Sequence, residues 1–539
     1  MAGRRIPPLI KKIGLALLVA ALCFGPVLSL SGCGSGTVAT IGQGKAQGKA
    51  TSNGTVAFKG IPYATPPVGE LRYKPPQPPK PWGNTFEAKD FGKVAPQPED
   101  TSEGSSRSQQ SEDCLTLNVW TPKVDKSNRP VMVFIHGGGW TGGASSDPLY
   151  DGAALSKRGD VTVVTLSYRL GALGFLYLGE TGGPEYAQSG NLGLLDQAAA
   201  LKWVGANISA FGGDPGNITI FGESAGSMSV CALMGMPAAK GLFRRAIAES
   251  GALNTLRSTD YAYSVTQRFM AHAGVTDVAG LKSLSVEQIV KAETAQMKEE
   301  FQAGTMFGPV IDGSVLPEPP LHVIAAGSAA GVDFMNGTNL DEVRAWTQAI
   351  PGLDSLSIKT VLPFFPMLER ALGPSVDSIE ASYKSRRPDA TEGDITMAVG
   401  TDVLFRVPAI RVAEAQSAKQ SNTWMYLFTW PSPVNKHLGS CHGIELPFVF
   451  GNLKDPGMVK YIGSDPPQKL ADIMQDTWIA FARTGNPNNK SVPSWKAYDD
   501  QTRATMILNV KPSQQNDPYS EDRQVWDGIP FDSVNPSLQ

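Results

Sequence analysis

The stretch Ile218-Thr-Ile-Phe-Gly-Glu-Ser-Ala-Gly-Ser-Met-Ser-Val230 predicts a β-strand, a very tight turn and a helix. Residues 218–221 are β-branched or aromatic, as in many strands, and the helix is expected to start near Ala225. The turn has the pattern G-x-S-x-G, which lifts a serine hydroxyl, here that of Ser224, clear of the backbone. The helix N-terminus beneath it would offer free N–H groups to a developing negative charge. The pattern is short, and an ordinary serine in a glycine-rich turn is the alternative, so its context has to decide.

The composition is typical of a folded globular protein. The chain has 539 residues, enough for one large domain or several smaller ones, and 41% of them are hydrophobic and 18% charged. The formal net charge of −3 gives no electrostatic reason to expect a nucleic-acid partner. Only five histidines and five cysteines occur, and their spacing fits no zinc site, so we expect no metal.

The N-terminus predicts export. Basic side chains within residues 1–12 precede an apolar run over residues 13–30, which is the pattern of a targeting segment. The run ends in Leu30-Ser-Gly-Cys33, which resembles the lipobox of bacterial lipoprotein precursors. That resemblance implies a signal segment over residues 1–33, with Cys33 lipidated as the first mature residue and anchored to a membrane of the bacterial cell envelope. Simple secretion and a retained signal anchor are the alternatives. Residues 34–54 are small and polar, and we expect a flexible tether there.

Strand and helix patterns alternate through the next part of the chain. Residues 131–135 form a continuous apolar run and lead into His136-Gly-Gly-Gly-Trp140, and residues 161–166 form a second apolar run. Residues 191–204 carry apolar side chains at helical spacing ahead of the strand at 218–221. This alternation predicts an α/β fold with a mostly parallel sheet.

Two of these motifs together resemble the type-B carboxylesterase and cholinesterase family of α/β-hydrolases. His136-Gly-Gly-Gly139 follows one buried strand and Phe221-Gly-Glu-Ser-Ala-Gly226 follows another. Further motifs match in order at residues 243–251, 308–313, 337–342, 442–451 and 478–488. The similarity extends from about Val56 to the region of Trp495. It implies one α/β-hydrolase domain over residues 55–535, with a central twisted sheet, flanking helices and long insertions.

The resemblance assigns a catalytic triad in the order serine, acid, histidine. It implies Ser224 as nucleophile, Glu342 as the acid and His442 as the base that takes the serine proton. His437, five residues before His442, is the rival base, and Asp341 is the rival acid.

The resemblance also implies the residues around the triad. The oxyanion hole would consist of the backbone N–H groups of Gly138, Gly139 and Ala225, while His136 would support the glycine loop rather than act as a base. Ser250 and Glu445 would lie behind the triad, and Glu223 would add negative potential or position water beside the nucleophile. An ion pair between Arg72 and Glu112 is expected to clamp a loop.

The sequence also departs from the family. Ala95 stands where vertebrate members have the cysteine that pairs with the one at position 114, so Cys114 is expected to be unpaired. The second disulfide of the family has no cysteines here to form it. Residues 92–114, where cholinesterases carry the tryptophan that holds choline, contain no aromatic residue, which argues against a choline-ester specialist.

The sequence therefore predicts a lipid-anchored serine esterase that hydrolyses small-molecule carboxylic esters without a cofactor. A non-catalytic adhesion or binding module of the same fold is the alternative of another class. The same triad acting on carbamates, amides or lipids is the closer alternative. The acyl and alcohol pockets are expected to draw on residues 253–307 and 353–405, where apolar side chains such as Phe364, Phe365, Met367 and Phe405 also fit core and lid packing.

Overall fold

The computed structural model describes residues 36–98, 110–252, 256–299, 306–347, 352–362 and 375–530, with Glu369 and Leu372. The predicted signal segment, including Cys33, lies outside these residues, as do Phe364, Phe365 and Met367.

The strands are numbered in chain order through the described residues. They are β1 (Val38–Ile41), β2 (Gly44–Gln47), β3 (Lys49–Ala50), β4 (Val56–Pro62), β5 (Phe86–Glu87), β6 (Thr116–Thr121), β7 (Arg129–Ile135), β8 (Thr162–Leu166), β9 (Gly213–Glu223), β10 (Arg245–Glu249), β11 (Arg257–Ser258), β12 (Val310–Ile311), β13 (Asp333–Asn339), β14 (Thr423–Phe428), β15 (Ala504–Leu508) and β16 (Ser513–Asn516).

The helices are numbered in the same way. They are α1 (Ala153–Gly159), α2 (Gly171–Phe175), α3 (Gly179–Gly182), α4 (Leu192–Asn207), α5 (Ala225–Gly235), α6 (Thr259–Ala273), α7 (Val278–Ser283), α8 (Val286–Glu299), α9 (Pro320–Ala325), α10 (Arg344–Thr347), α11 (Ile358–Val361), α12 (Val376–Arg386), α13 (Glu392–Thr401), α14 (Val407–Ser417), α15 (Leu446–Phe450), α16 (Pro456–Ile462), α17 (Gln468–Thr484) and α18 (Ser520–Gln524).

Within the described residues, eleven strands form the central sheet in the order β16-β15-β14-β13-β10-β9-β7-β8-β6-β4-β3. The strands from β8 through β15 in this order run parallel to their neighbours. The outer pairs at both edges are antiparallel. The prediction of a mostly parallel sheet is confirmed, and the carboxyl ends of the central strands meet at one edge.

Both faces of the sheet are buried, which explains the continuous apolar runs of its central strands. Successive residues of β7 point to opposite faces. Val131 and Val133 pack into the core that includes α4 and α5, while Met132 and Phe134 pack into the core that includes α15 and α17. The strand at 218–221 and the helix starting at Ala225 are present as predicted, as parts of β9 and α5.

The prediction of a flexible tether over residues 34–54 is wrong for the part that the structure describes. Residues 38–50 carry β1, β2 and β3, and β1 pairs with β2 while β3 joins the edge of the central sheet. The physical reason is that β2 also pairs with β5, which lies some forty residues later in the chain. This pairing orders residues whose own propensity for β-strands is low.

Two further expectations, the unpaired Cys114 and the ion pair between Arg72 and Glu112, are confirmed. Cys114, Cys231 and Cys441 are all free and buried. Arg72 and Glu112 form a two-point ion pair, with Nε–Oε1 and Nη2–Oε2 distances of 2.7 and 2.6 Å. Among the helices that the structure describes, none has both the length and the apolar character needed to cross a membrane.

Candidate active site

Four parallel strands end at the same edge of the sheet and deliver the candidate residues there. The loop from His136 follows β7, Ser224 follows β9, Ser250 follows β10, and Glu342 lies three residues beyond β13. Because ligands bind at the carboxyl ends of the strands in open α/β sheets, this edge is the expected place for a site.

The turn after β9 holds Ser224 in a strained conformation. Its φ of 56° lies in the left-handed region, where residues other than glycine are uncommon. Helix α5 begins at the next residue, and the Ser224 N–H donates to the Glu249 carbonyl oxygen at 3.0 Å. Gly226 allows the crossing of β7 under this turn, since a Cβ there would lie 2.0 Å from the Ile135 carbonyl oxygen.

Glu342 and His442, the expected acid and base, meet through a short contact. The distance between Glu342 Oε2 and His442 Nδ1 is 2.7 Å. The other carboxylate oxygen of Glu342, Oε1, accepts the Asn339 backbone N–H at 2.8 Å, and the Glu342 carbonyl oxygen accepts the His442 backbone N–H at 3.1 Å. Glu342 is fully buried, so both its position and the orientation of the imidazole are fixed.

Glu223 approaches the other side of the imidazole. Its Oε1 lies 3.0 Å from His442 Nε2, although the two groups are not aligned as a hydrogen bond. Burial lowers the pKa of His442, but the charge of Glu223 beside Nε2, together with the hydrogen bond and charge of Glu342, outweighs it and raises the pKa well above its usual value. Within the described residues, the Ser224 hydroxyl forms no hydrogen bond with the imidazole, so the expected nucleophile and base lie at one edge of the sheet without being joined. Such contacts are often long in a free enzyme.

The rival residues His437 and Asp341 make other contacts. His437 is exposed, and its Nδ1 lies 4.0 Å from Asp354 Oδ1. Asp341 accepts the Ser440 backbone N–H at 2.9 Å and lies 3.4 Å from the Arg344 guanidinium, so it supports the loop that carries His442.

The glycine loop after β7 presents backbone donors to the same edge. Gly138 has a φ of 106°, which L-residues rarely adopt, and Gly139 has a φ of 61°. Neither N–H meets an acceptor in the part of the chain that the structure covers. The Ala225 N–H belongs to the first turn of α5 and is left without a partner inside the helix.

His136 lies below this loop. Its ring stacks on Tyr168 at 4.5 Å, its Nδ1 lies 2.9 Å from the Gly137 carbonyl oxygen, and burial lowers its pKa to about 4. A neutral, stacked imidazole of this kind supports the loop, as the sequence predicts.

Ser250 and Glu445, which the sequence predicts to lie behind the triad, contact each other. Ser250 Oγ donates to Glu445 Oε1 over a long 3.5 Å, and the Asn339 amide donates to Glu445 Oε2. Burial, together with the charges of Glu223 and Glu342, raises the pKa of Glu445 to about 8.

Several residues of the site are missing from the sequence prediction. Asn339 binds both Glu342 and Glu445, and its only signal is its place in the matched motif at 337–342. Trp346 was not predicted either; it flanks His442 with a ring-centroid distance of 4.8 Å and is 57% exposed. Phe405, from a region that the sequence predicts to contribute to the pockets, flanks His442 at 4.9 Å. An exposed tryptophan four residues after the acid is a signal that could have been used.

The described residues contain no group of three or more histidine, cysteine, aspartate or glutamate side chains that could hold a metal ion. A strained serine, an imidazole fixed by a buried carboxylate and a set of unused backbone N–H groups together suit nucleophilic attack on a carbonyl group.

Comparison with known proteins agrees with this chemistry. Residues 35–526 match the carboxylesterase family. The para-nitrobenzyl esterase of Bacillus subtilis (strain 168) is 44% identical over 497 residues, which cover 90% of this chain and 98% of that protein. The fumonisin B1 esterase of Sphingopyxis macrogoltabida is 36% identical over 82% of this chain and 81% of its own length.

A solved structure, that of a Geobacillus stearothermophilus carboxylesterase, superimposes with a TM-score of 0.83 at 40% identity and covers 91% of this chain and all of that one. Since the family match, the relatives and the solved structure cover nearly the whole chain, this protein belongs to the carboxylesterase family of α/β-hydrolases and is a carboxylic ester hydrolase.

Proposed function

We propose that the protein hydrolyses small-molecule carboxylic esters through an acyl-enzyme on Ser224, with His442 as general base and acid and Glu342 as its orienting partner. The proposal rests chiefly on the 2.7 Å contact between Glu342 Oε2 and His442 Nδ1 at the edge where Ser224 is held in a strained turn.

The reaction proceeds in two halves. Ser224 Oγ attacks the ester carbonyl carbon while its proton passes to His442 Nε2, and collapse of the intermediate releases the alcohol, which takes that proton. A water molecule then attacks the acyl group, again giving a proton to His442, and His442 returns that proton to Ser224 Oγ as the carboxylic acid leaves. The N–H groups of Gly138, Gly139 and Ala225 stabilise the oxyanion in both halves, and one such donor is typically worth about 3 kcal/mol in the transition state.

The covalent intermediate provides the test of this mechanism. We expect brief incubation with p-nitrophenyl esters of increasing acyl length, followed by acid quench and peptide mass spectrometry, to find the acyl group on Ser224. Benzyl esters extend the series, because Trp346 and Phe405 form an aromatic surface beside His442 and one relative is named a para-nitrobenzyl esterase. Turnover with the acyl group on another residue, or none under these conditions, would contradict the assignment.

The pH dependence of kcat/KM tests whether Glu223 raises the pKa of His442. Only neutral His442 can accept the Ser224 proton, so activity rises with pH through the pKa of His442. Because Glu223 raises that pKa, the variant Glu223→Gln is expected to show the rise of kcat/KM at a pH about one unit lower. Glu87→Gln, which removes an exposed carboxylate on β5, is the matched control and should leave the pH of this rise unchanged. A rise at the same pH in Glu223→Gln as in the wild type would show that Glu223 does not act on the base.

We propose further that the protein is exported and held to a membrane of the bacterial cell envelope by a lipid on Cys33. The support is the sequence pattern of residues 1–33. Two or more acyl chains on one residue suffice for stable anchoring.

Cell fractionation tests the anchor. Cys33→Ser is expected to release the protein from the membrane fraction, since the lipid has no other attachment point. Cys441→Ser, at a buried free cysteine, is the control and should remain with the membranes. Equal sedimentation of both variants with the membranes would refute the anchor.

A further inference from the structure

Four buried carboxyl groups and one imidazole cluster in this site, and two of the four, Glu223 and Glu342, contact the imidazole. Glu249, Glu342 and Glu445 are fully buried and Glu223 is 5% exposed. Among the described residues, His442 is the only basic group that forms an ion pair with any of the four. Several unpaired carboxylates in one apolar region would be very costly, so the cluster must retain protons.

Glu249 is the member of this cluster that is hydrogen-bonded to the backbone of Ser224. It ends β10, where its Cα is paired with that of Glu223 at the end of β9. Its carbonyl oxygen accepts the Ser224 N–H at 3.0 Å. A displacement of Glu249 is therefore passed to the backbone of Ser224.

Only one of the two carboxyl oxygens of Glu249 has a hydrogen-bond partner among the described residues. Its Oε1 accepts the indole N–H of Trp478 on α17 at 2.9 Å, whereas its Oε2 is buried without a partner in the described part of the chain. The hydroxyl of Tyr426 is buried without a partner there as well.

Glu249 and Tyr426 belong to one row of the sheet, with Gly337 between them. A Cβ at Gly337 would lie 2.4 Å from the Tyr426 ring, so the glycine makes room for that ring beside Glu249. A protonated Oε2 can donate within this space, which an ionised one cannot do.

The groups that face Glu249 favour the protonated form. Glu223 comes from β9, Glu445 from the residue before α15 and Trp478 from α17. Burial, then the charges of Glu445 and Glu223, raise the pKa of Glu249 well above its usual value against the hydrogen bond from Trp478, which lowers it.

We propose that Glu249 is a neutral carboxylic acid that holds the backbone of Ser224 in its reactive position, and that its ionisation at alkaline pH inactivates the enzyme. Glu249 acts as a positioning residue, because its carboxyl group touches neither substrate nor proton in the reaction. The inference rests on the proposed role of Ser224.

The test compares Glu249→Ala with Glu249→Gln. The alanine variant leaves the indole N–H of Trp478 without its acceptor and is expected to lower kcat at neutral pH about 100-fold, equivalent to the cost of one or two buried unsatisfied groups. Glutamine keeps an acceptor for Trp478 and a donor in place of the acid proton, so it is expected to recover at least tenfold of that loss. Since glutamine cannot ionise, the fall of kcat at alkaline pH that is expected for the wild type should be absent from Glu249→Gln.

Glu293→Gln is the matched control. Glu293 is also buried, burial raises its pKa to about 8, and it lies on α8 near the Ala172 N–H. In this variant kcat should fall at alkaline pH as in the wild type. The proposal would be overturned if kcat of Glu249→Gln still fell at alkaline pH, or if its kcat at neutral pH were no higher than that of Glu249→Ala.

Infrared spectroscopy gives a readout that does not depend on turnover. The spectrum of the wild type minus that of Glu249→Gln at neutral pH should contain the C=O stretch of one protonated carboxyl group. A carboxylate band in its place would overturn the proposal even if alanine prevents folding. This result is independent of whether Ser224 carries the acyl group.

Discussion

Ser224→Ala is expected to lower kcat about 10⁶-fold on any ester that the protein hydrolyses. Removing the hydroxyl removes the acyl-enzyme path altogether and leaves only the oxyanion donors and binding to act on direct attack by water. Alanine fits the turn sterically, and the Ser224 N–H keeps its acceptor on Glu249. The fold should therefore be retained.

The measurement is initial-rate hydrolysis of a p-nitrophenyl ester, with thermal unfolding of the same samples. Ser209→Ala, at an exposed serine after α4, is the matched control and should match the wild type in both. Activity of Ser224→Ala within a hundredfold of the wild type, from a folded sample, would place the nucleophile elsewhere.

Glu342→Gln is expected to lower kcat about 10⁴-fold with little effect on KM. The Asn339 backbone N–H needs an acceptor, so the glutamine oxygen faces Asn339 and its NH₂ group faces His442 Nδ1. The imidazole then has to accept at Nδ1 and carry its proton on Nε2, where it cannot take the proton of Ser224. Because glutamine has nearly the same volume as glutamate, the loss of kcat would be due to the changed tautomer of His442.

Asp341→Asn is the control for this variant. Asparagine retains an oxygen for the Ser440 N–H, and Asp341 has no contact with the imidazole among those in the described residues. Its kcat should remain within about tenfold of the wild type, as for residues outside a catalytic unit. If kcat fell further in Asp341→Asn than in Glu342→Gln, Asp341 rather than Glu342 would be the acid that orients His442.

The sequence predicts what depends on local pattern. The strand, turn and helix around Ser224 follow from residue types and spacing, and the matched motifs place Glu342 and His442, which the structure brings within 2.7 Å. The strands at residues 38–50 could not be predicted in this way, because a Gly-, Ala- and Lys-rich segment is ordered by a distant partner. Glu249 was missed for a similar reason, since its partner Trp478 is 229 positions away.

The strained backbone of Ser224 has a consequence for engineering this protein. A non-glycine residue at a φ of 56° costs about 1–3 kcal/mol, which the rest of the fold has to offset. Glycine relieves such strain, so the proposed nucleophile occupies a position where greater stability and activity require different residues. Directed evolution that selects for heat resistance alone would therefore favour loss of the nucleophile, and every round of selection on this protein needs a turnover screen as well.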